Sequence, residues 1–296
     1  MTCFVILHYL VSKETINTVN SILKNVNGEL AIVVVDNCSP NDSFDVITQA
    51  YINEPRVKVI KNETNAGYAR GINFGYDYAK EHYHPSFIVA MNNDMEIRQN
   101  DFLTKMNEIY KETDFYVLGP DVYSTSAEKH QNPENDHIRT LAEIDEHIKS
   151  VMQTKNHTLK LKIKGMLRRS KLIYNFYYGK KKAENQKNYV NTRQSNVTLH
   201  GSCLIFSELF IAKRAYALFP GTEFYCEAQI LDYECLRDSM LQIYDPSLKI
   251  YHHEDVATDA VAGSYSAKMV KKCERVLTSL KLFRQLMLED QKKWMK

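Results

Sequence analysis

The stretch Met91-Asn92-Asn93-Asp94-Met95-Glu96-Ile97 follows the apolar run Phe87-Ile88-Val89-Ala90. Two amides and a carboxylate at the end of a buried strand offer oxygen ligands, the set that a hard divalent cation and a diphosphate require. Asn and Asp are also common turn residues, so the cluster taken alone is equally a polar turn. Three more polar clusters follow apolar runs: His8-Tyr9, Asp36-Asn37-Cys38-Ser39, and Asn65 through Gly75. In open parallel sheets ligands bind at the carboxyl ends of the strands, so four such clusters in order point to a site on one rim. In the last cluster, "NAGYARGINFG", Gly67, Gly71 and Gly75 recur every four residues and share a helix face. Glycine in a helix costs about 1 kcal/mol relative to alanine. Close approach to the sheet or to a ligand is the usual compensation, and Arg70 on another face is placed to reach a phosphate.

Those clusters need a scaffold, and the first 120 residues supply one. Apolar runs at Cys3–His8, Ala31–Val35, Val57–Ile60, Phe87–Met91 and Tyr116–Gly119 read as strands. Helical patterns alternate with them: Ser12–Lys24, with Ile16, Val19, Ile22 and Leu23 on one face, then Phe44–Tyr51, Tyr68–Glu81 and Asp101–Lys111. Strand–helix alternation with fully apolar strands predicts a parallel sheet covered on both faces. From Asp121 to Ser195 the alternation stops. It resumes with a strand-like run over Leu199–Phe206, interrupted by Gly201-Ser202, a helix over Ala228–Met240, and a short strand over Leu248–Tyr251. Residues 264–292 form a long, basic, amphipathic helical pattern.

Composition narrows the class. The chain has 296 residues, 44% hydrophobic and 25% charged, with a formal net charge of +2. This is an ordinary globular composition without the overall basic excess of a nucleic-acid binder. The six cysteines are scattered with no CxxC pair, which argues against a zinc site or a disulfide scaffold. The apolar start lacks a basic leader and a cleavage site, and no apolar run reaches the roughly 18 residues of a spanning helix. A cytoplasmic chain is expected, in which the sequons at Asn62, Asn156 and Asn196 carry no glycan. The first strand is followed by "HYLVSKET", without the G-x-G-x-x-G of a dinucleotide-binding fold, and no P-loop is present.

Taken together, "FVILHY", "IVVVDNCSP", "NAGYARGINFG", "MNND", "LHGSCLIF", "FYCEAQIL" and "IYHHEDVAT" resemble the successive motifs of family 2 glycosyltransferases. The likeness is greatest to bacterial enzymes of capsular and other surface polysaccharides, including a rhamnosyltransferase-like group. It covers residues 1–119 and 197–260 in order. The resemblance implies an α/β GT-A fold with a mostly parallel central sheet flanked by helices, a nucleotide-sugar donor, a divalent metal (Mn²⁺ or Mg²⁺) and an inverting displacement. It divides the chain into a nucleotide-sugar half (1–119), a basic helical insertion (120–196), an acceptor and catalytic half (197–260) and a C-terminal amphipathic helix (261–296).

By the same resemblance His8, Tyr9 and Asp36 hold the base and ribose, and Asn65, Gly67, Arg70 and Asn73 line the nucleotide and diphosphate. Asn92, Asn93 and Asp94 occupy the family's Asp-x-Asp position, with Asn92 replacing the first acid and leaving the metal chiefly to Asp94. His252 is a further metal ligand by resemblance, although a surface role accounts equally for such a histidine. Gly201 and Ser202 let the acceptor approach the backbone. Glu227 stands where the family carries paired acids and is the expected base, with Glu223 and Asp232 as substitutes. An acid favoured by a helix N-terminus also accounts for Glu227. Two rival functions stay open: a nucleotidyltransferase on a similar core, and a nucleotide-sugar-binding protein without catalysis.

Residues 155–187 hold eleven Lys or Arg against one Glu, interleaved with apolar residues and with Tyr174, Phe176, Tyr177 and Tyr178. A basic amphipathic segment of this kind suits an anionic membrane surface, which attracts about 1 kcal/mol per charge. The expected placement is peripheral, at the inner face of the cell membrane, where a lipid-linked saccharide acceptor resides. The segment 264–292 docks on lipid, pairs two subunits as a homodimer, or caps the core. "HQNP" at His130–Pro133 stands out without an assigned role.

Overall fold

The computed structural model describes residues 1–157, 189–254 and 265–294. In chain order the elements are β1 (Thr2–His8), α1 (Ser12–Asn25), β2 (Leu30–Asp36), α2 (Ser43–Ala50), β3 (Val57–Lys61) and α3 (Gly67–Tyr83). They continue with β4 (Phe87–Asn92), β5 (Met95–Glu96), α4 (Phe102–Thr113), β6 (Val117–Ser124), β7 (Lys129–His130) and α5 (Leu141–Asn156). The last are β8 (Gln194–Ser195), β9 (Cys203–Ser207), α6 (Glu208–Lys213), α7 (Glu227–Arg237), β10 (Gln242–His252) and α8 (Tyr265–Trp294).

One sheet carries the strand order β3-β2-β1-β4-β9-β6-β10-β5, with β7 on β6 and β8 on β10. β1, β2, β3 and β4 pair in parallel, as do β6 and β10. β9 is antiparallel to both of its neighbours, β4 and β6. Six strands therefore end on one rim, and β9 begins there.

The apolar strands are apolar because both faces are covered. Phe4, Ile6, Ile32 and Val34 pack with Val19 and Ile22 of α1 and Phe102 and Met106 of α4. Their alternating neighbours Cys3, Val5, Val33 and Val35 face Ala69, Ile72 and Tyr76 of α3. A third cluster joins Ile144 of α5, Ile230 of α7 and Leu280, Phe283 and Met287 of α8. The apolar stripe of α8 thus covers its own chain, in line with the capping alternative for that segment.

Four features differ from the sequence reading. β6 continues to Ser124, past the expected start of the insertion, because Val122 remains a core residue. α5 was not separated from the insertion, although Thr140 and Glu143 form a reciprocal capping box at its start. β10 is eleven residues long rather than four: Asp245-Pro246-Ser247 breaks the apolar pattern, and the register to β6 shifts there between Asp245 and Lys249. Finally, β9 makes the sheet mixed. The basic stretch 158–187 lies outside the described residues.

The three glycines of α3 divide by cause. A Cβ on Gly75 would stand 2.4 Å from Val5 Cγ1 and 2.7 Å from Val35 Cγ2, and one on Gly71 would meet Leu7 Cδ1 at 2.6 Å. Both serve the contact of helix with sheet. Gly67 has φ +80° and a Cβ there would stand 2.4 Å from the carbonyl oxygen of Glu223, so it joins two loops instead. Gly75→Ala is expected to destabilise the protein by a net ~1–3 kcal/mol in urea unfolding despite alanine's helix propensity, because branched core side chains block the methyl. Gly71→Ala is expected to cost less, since the end of Leu7 can swing aside. Equal or greater stability of Gly75→Ala would show that this packing is not limiting.

Candidate active site

Because β1, β2, β4, β6 and β10 end on one rim, His8, Asp36, Asn92, Ser124 and His252 stand along it. The reversed strand β9 returns Gly201 and Ser202 to the same place, where Asn92 N donates to Ser202 O at 2.9 Å. The turn after β4 then sets Asp94 against the end of β10: Asp94 O accepts from His253 N at 2.9 Å. Asp94 Oδ1 lies 3.3 Å from His252 Nε2. That buried carboxylate oxygen accepts no hydrogen bond. The other ring nitrogen of His252, Nδ1, lies 2.8 Å from Gln131 Oε1.

Two ligands of an octahedral cation at ~2.1 Å are about 3 Å apart, so this pair fits one hard cation. Among the described residues no group of three or more His, Cys, Asp or Glu converges. Among the described residues Asp94 and His252 thus offer two ligands, and diphosphate oxygens and water would complete the shell, as is common for Mg²⁺.

Glu227 is the first residue of α7 and is buried, with Oε1 unpartnered. Burial pushes its carboxyl up to about 7, against the lowering pull of backbone N–H groups at the helix start. Tyr68 is close enough to feel both this acid and Asp94. Its hydroxyl donates to Gly201 O at 2.8 Å, and its backbone N–H donates to Glu223 O at 2.8 Å. Burial raises its phenol, and the nearby Glu227, Cys203 and Asp94 raise it further. The loop before Glu227 is held in an uncommon shape, with Tyr225 and Cys226 both left-handed at φ 74° and 68°. α8 grips that loop: Ser279 Oγ donates to Phe224 O at 2.7 Å, and the Arg275 guanidinium lies 4.5 Å over the Phe224 ring.

Other expected site residues have different positions. His8 is fully buried, with Nδ1 2.7 Å from Thr15 Oγ1 and Nε2 2.8 Å from Ser43 Oγ. Burial pushes its imidazole down to about 4, so it is neutral and does not present its ring to a base. Ser43 donates onward to Asn41 Oδ1, and Asn93 Nδ2 donates to Thr15 Oγ1. Asn93 is thereby a structural link rather than an exposed ligand.

Asp36 is buried and accepts from Ser39 N, with Lys61 Nζ 3.9 Å away. Asn73 is also structural: its amide bridges Leu218 O, Ala217 N and Leu218 N, so it fixes the loop before Glu227 instead of lining the donor. Asn65 accepts from Asn37 and from Gly67 N. Arg70 is exposed and uses Nε on Pro220 O. Tyr9 and Asn92 are partly exposed at the rim.

Ser202 Oγ lies 2.7 Å from His200 Nδ1, and burial holds that imidazole down at about 4. The Glu223 side chain is largely exposed and lies 4.0 Å from Arg275. Asp232 is excluded as a base: it is fully buried, accepts from Leu199 N and Gln242 Nε2, and burial raises it well above the ordinary range.

The sequence reading missed Tyr68, Gln131, His200 and Asn37. Asn37 accepts from Asn62 and Ala66 N and donates to Asn65 and Gly67 O, knitting the loops after β2 and β3. Tyr68 and His200 lie inside quoted motifs, but only the returning path of β9 brings His200 and Gly201 to the rim, where Tyr68 of α3 bonds Gly201.

Comparison with known proteins places this arrangement. Among solved structures, S. aureus TarS 1–349 is 14% identical over 85% of this chain and 60% of its own, with a TM-score of 0.53. TarS 1–349 in complex with UDP-GlcNAc is 14% identical over 90% of this chain and 61% of its own, with a TM-score of 0.53. GalNAc-T7 with UDP, GalNAc and Mn²⁺ is 11% identical over 92% of this chain and 47% of its own, with a TM-score of 0.58. The chain therefore spans about three fifths or less of these structures, and the likeness is one of fold: an α/β GT-A fold with a mostly parallel sheet. No curated protein sequence matches it. The model described as "Glycosyl transferase family 2" matches residues 3–176, more than half of the sequence. The chain belongs to glycosyl transferase family 2.

Proposed function

We propose that the chain is an inverting, divalent-metal-dependent glycosyltransferase. It moves a sugar from a UDP- or dTDP-linked donor to a saccharide or lipid-linked saccharide in bacterial surface-polysaccharide synthesis. One observation carries this reading: two buried carboxylate oxygens, both belonging to acids that act on the Tyr68 phenol, lack partners, Asp94 Oδ1 beside His252 and Glu227 Oε1 at the start of α7. Buried acceptors without donors are costly unless a ligand completes them. The nucleotides named with TarS and GalNAc-T7, UDP-GlcNAc and UDP, favour a uridine donor. The polysaccharide role and the rhamnosyltransferase-like character rest on the sequence motifs.

In this reading Glu227 accepts the proton of the acceptor hydroxyl as that oxygen attacks the anomeric carbon from the face opposite the diphosphate. The bond from carbon to diphosphate oxygen breaks, configuration inverts, and the nucleoside diphosphate leaves with the electron pair. A carboxyl near 7 suits this task, being substantially ionised at neutral pH yet basic enough to take a proton. Asp94 and His252 hold the metal, which when bound offsets negative charge on the leaving diphosphate. Arg70 is exposed, spends only Nε on Pro220 O, and is available to the same phosphates. Tyr68 pins the Gly201 turn where the acceptor approaches.

Among the described residues no helix is long and apolar enough to cross a membrane. Peripheral attachment at the inner membrane face is proposed from the basic composition of residues 155–187.

Thermal melting with UDP, dTDP, GDP or CMP, each with Mn²⁺ or chelator, tests the donor site. One nucleoside diphosphate is expected to stabilise the protein by about 2.7 kcal/mol at 100 times its Kd. Chelator and Asp94→Ala should each abolish that shift. A nucleotide shift indifferent to both would remove Asp94 from the site, and no shift with any nucleotide would sink the transferase reading.

Glu227→Gln is expected to lower donor-to-acceptor transfer by 10²-fold or more while keeping the nucleotide shift. Wild-type kcat/KM should rise with pH through about 7, since the base is the ionised form. Stability runs the other way. The folded carboxyl holds its proton more tightly than the unfolded one, so its contribution is full below about 4.5 and is lost as pH rises through about 7. Glu227→Gln should gain up to roughly 3 kcal/mol over wild type between pH 5 and pH 8. A pH-independent difference in stability would contradict the buried-acid description.

A further inference from the structure

The short motif His130-Gln131-Asn132 lies outside the rim clusters, yet each of its residues is anchored toward them. His130 Nδ1 lies 2.7 Å from Asp121 Oδ1, with its ring 4.2 Å from that of Tyr189. Asn132 Nδ2 donates to Pro120 O at 2.7 Å, and its Oδ1 accepts from His200 N at 3.0 Å. Gln131 N donates to Val122 O at 2.8 Å, which fixes its backbone on β6. Its side chain spans two partners that both come from the end of β10. Gln131 Nε2 donates to Glu254 Oε1, and Gln131 Oε1 faces His252 Nδ1 at 2.8 Å. Glu254 Oε2 also accepts from the hydroxyls of Ser124 and Ser126.

These contacts fix direction. Turning the Gln131 amide over would set its oxygen against the Glu254 carboxylate, acceptor on acceptor. The Gln131 oxygen therefore faces His252, and an oxygen at that position requires a proton on Nδ1. Neutral imidazole carries one proton, so Nε2, 3.3 Å from Asp94 Oδ1, keeps its lone pair. A neutral histidine protonated on Nε2 instead would have no lone pair there for a cation.

We infer that Gln131 is a positioning residue, linking Glu254 to His252 and holding His252 in the Nδ1–H tautomer so that Nε2 and Asp94 Oδ1 stay open for one divalent cation. The inference rests on the cation reading of Asp94 and His252 given above. A protein group on the far nitrogen of a ligating histidine commonly sets its tautomer, and its loss weakens metal binding 10–100-fold. Here an amide intervenes between carboxylate and imidazole, and it comes from a hairpin far in sequence from both ligands.

The test has two readouts, neither of them turnover. In ¹⁵N-histidine-labelled, metal-free protein, long-range ¹H–¹⁵N spectra report the tautomer of His252, assigned by its loss in His252→Gln. Mn²⁺ binding in the presence of UDP is read by electron paramagnetic resonance of the free ion. Wild type is expected to show the Nδ1–H tautomer. Gln131→Met is expected to convert it to Nε2–H and to weaken Mn²⁺ binding 10–100-fold. The double exchange Gln131→Glu with Glu254→Gln keeps an acceptor on Nδ1–H and a donor between positions 254 and 131, and is expected to restore both. Rescue by the exchanged pair separates positioning from loss of folding.

An Nε2–H tautomer in wild type would overturn the inference. So would a Gln131→Met protein that melts normally with tautomer and Mn²⁺ affinity unchanged. If the tautomer responds as expected but wild type binds no Mn²⁺, the cation reading beneath fails and takes with it the purpose assigned to the relay.

Discussion

Strand β9 runs against both of its neighbours, and the site is built around that reversal. A wholly parallel sheet would leave the beginning of this strand on the rim opposite the ligands. Inserted antiparallel between β4 and β6, it returns Gly201 and Ser202 to the ends of the parallel strands. Asn92 then bonds to Ser202, and Tyr68 bonds to Gly201, so β4 and α3 share one seam with the turn before β9. The same reversal separates β4 from β6 and β10, and the two-residue β5 bridges back to β10 beside His252. Asp94 and His252 are neighbours because of this path, although 157 positions separate them in sequence.

Behind the seam lies a polar interior that is neutral by construction. His8 accepts from one side chain and donates to another, and the run from Asn93 through Thr15, His8 and Ser43 to Asn41 contains no charge. Such networks rigidify a core only when every member is satisfied. Its cohesion requires His8 without a second proton, which burial enforces by holding the ring near 4. Asp36, the charged group next to it, is met by the backbone at Ser39 and more distantly by Lys61. The loops after β1 and β4 are thus held together by dipoles rather than by ion pairs.

Much of this was legible in the sequence. Five apolar runs in the first 120 residues gave five parallel strands, β1 to β4 and β6, because continuous Val and Ile segments have only one use in such a sheet. The polar residues after the first four lie together at the carboxyl ends of those strands for the same reason. What escaped were features set by nonlocal pairing. The direction of β9 is not written in "CLIFS", which is equally apolar in either orientation. Asp245-Pro246-Ser247 hid half of β10, because a bulge interrupts the pattern while the strand continues. Thr140 and Glu143 carried a readable helix start that the surrounding charge obscured. Among site residues, periodicity assigned Gly71 and Gly75 to a close face but could not say that Val5 and Val35, not a phosphate, occupied it. Asn73 and His8 were placed on the ligand by motif, whereas their side-chain atoms are taken by loops of the same chain.

The left-handed pair Tyr225-Cys226, clamped by Ser279 and Arg275 of α8, bears on how the molecule comes into being. Non-glycine residues in that conformation cost of order 1–3 kcal/mol each and persist only where their surroundings overdetermine them. Here part of those surroundings is a helix near the end of the chain. On the ribosome β1 to β4 emerge first, and Glu227 emerges before the helix that braces its loop. The loop ahead of Glu227 can therefore take its fixed shape only once that last helix is made, so this corner of the rim is the last to be set.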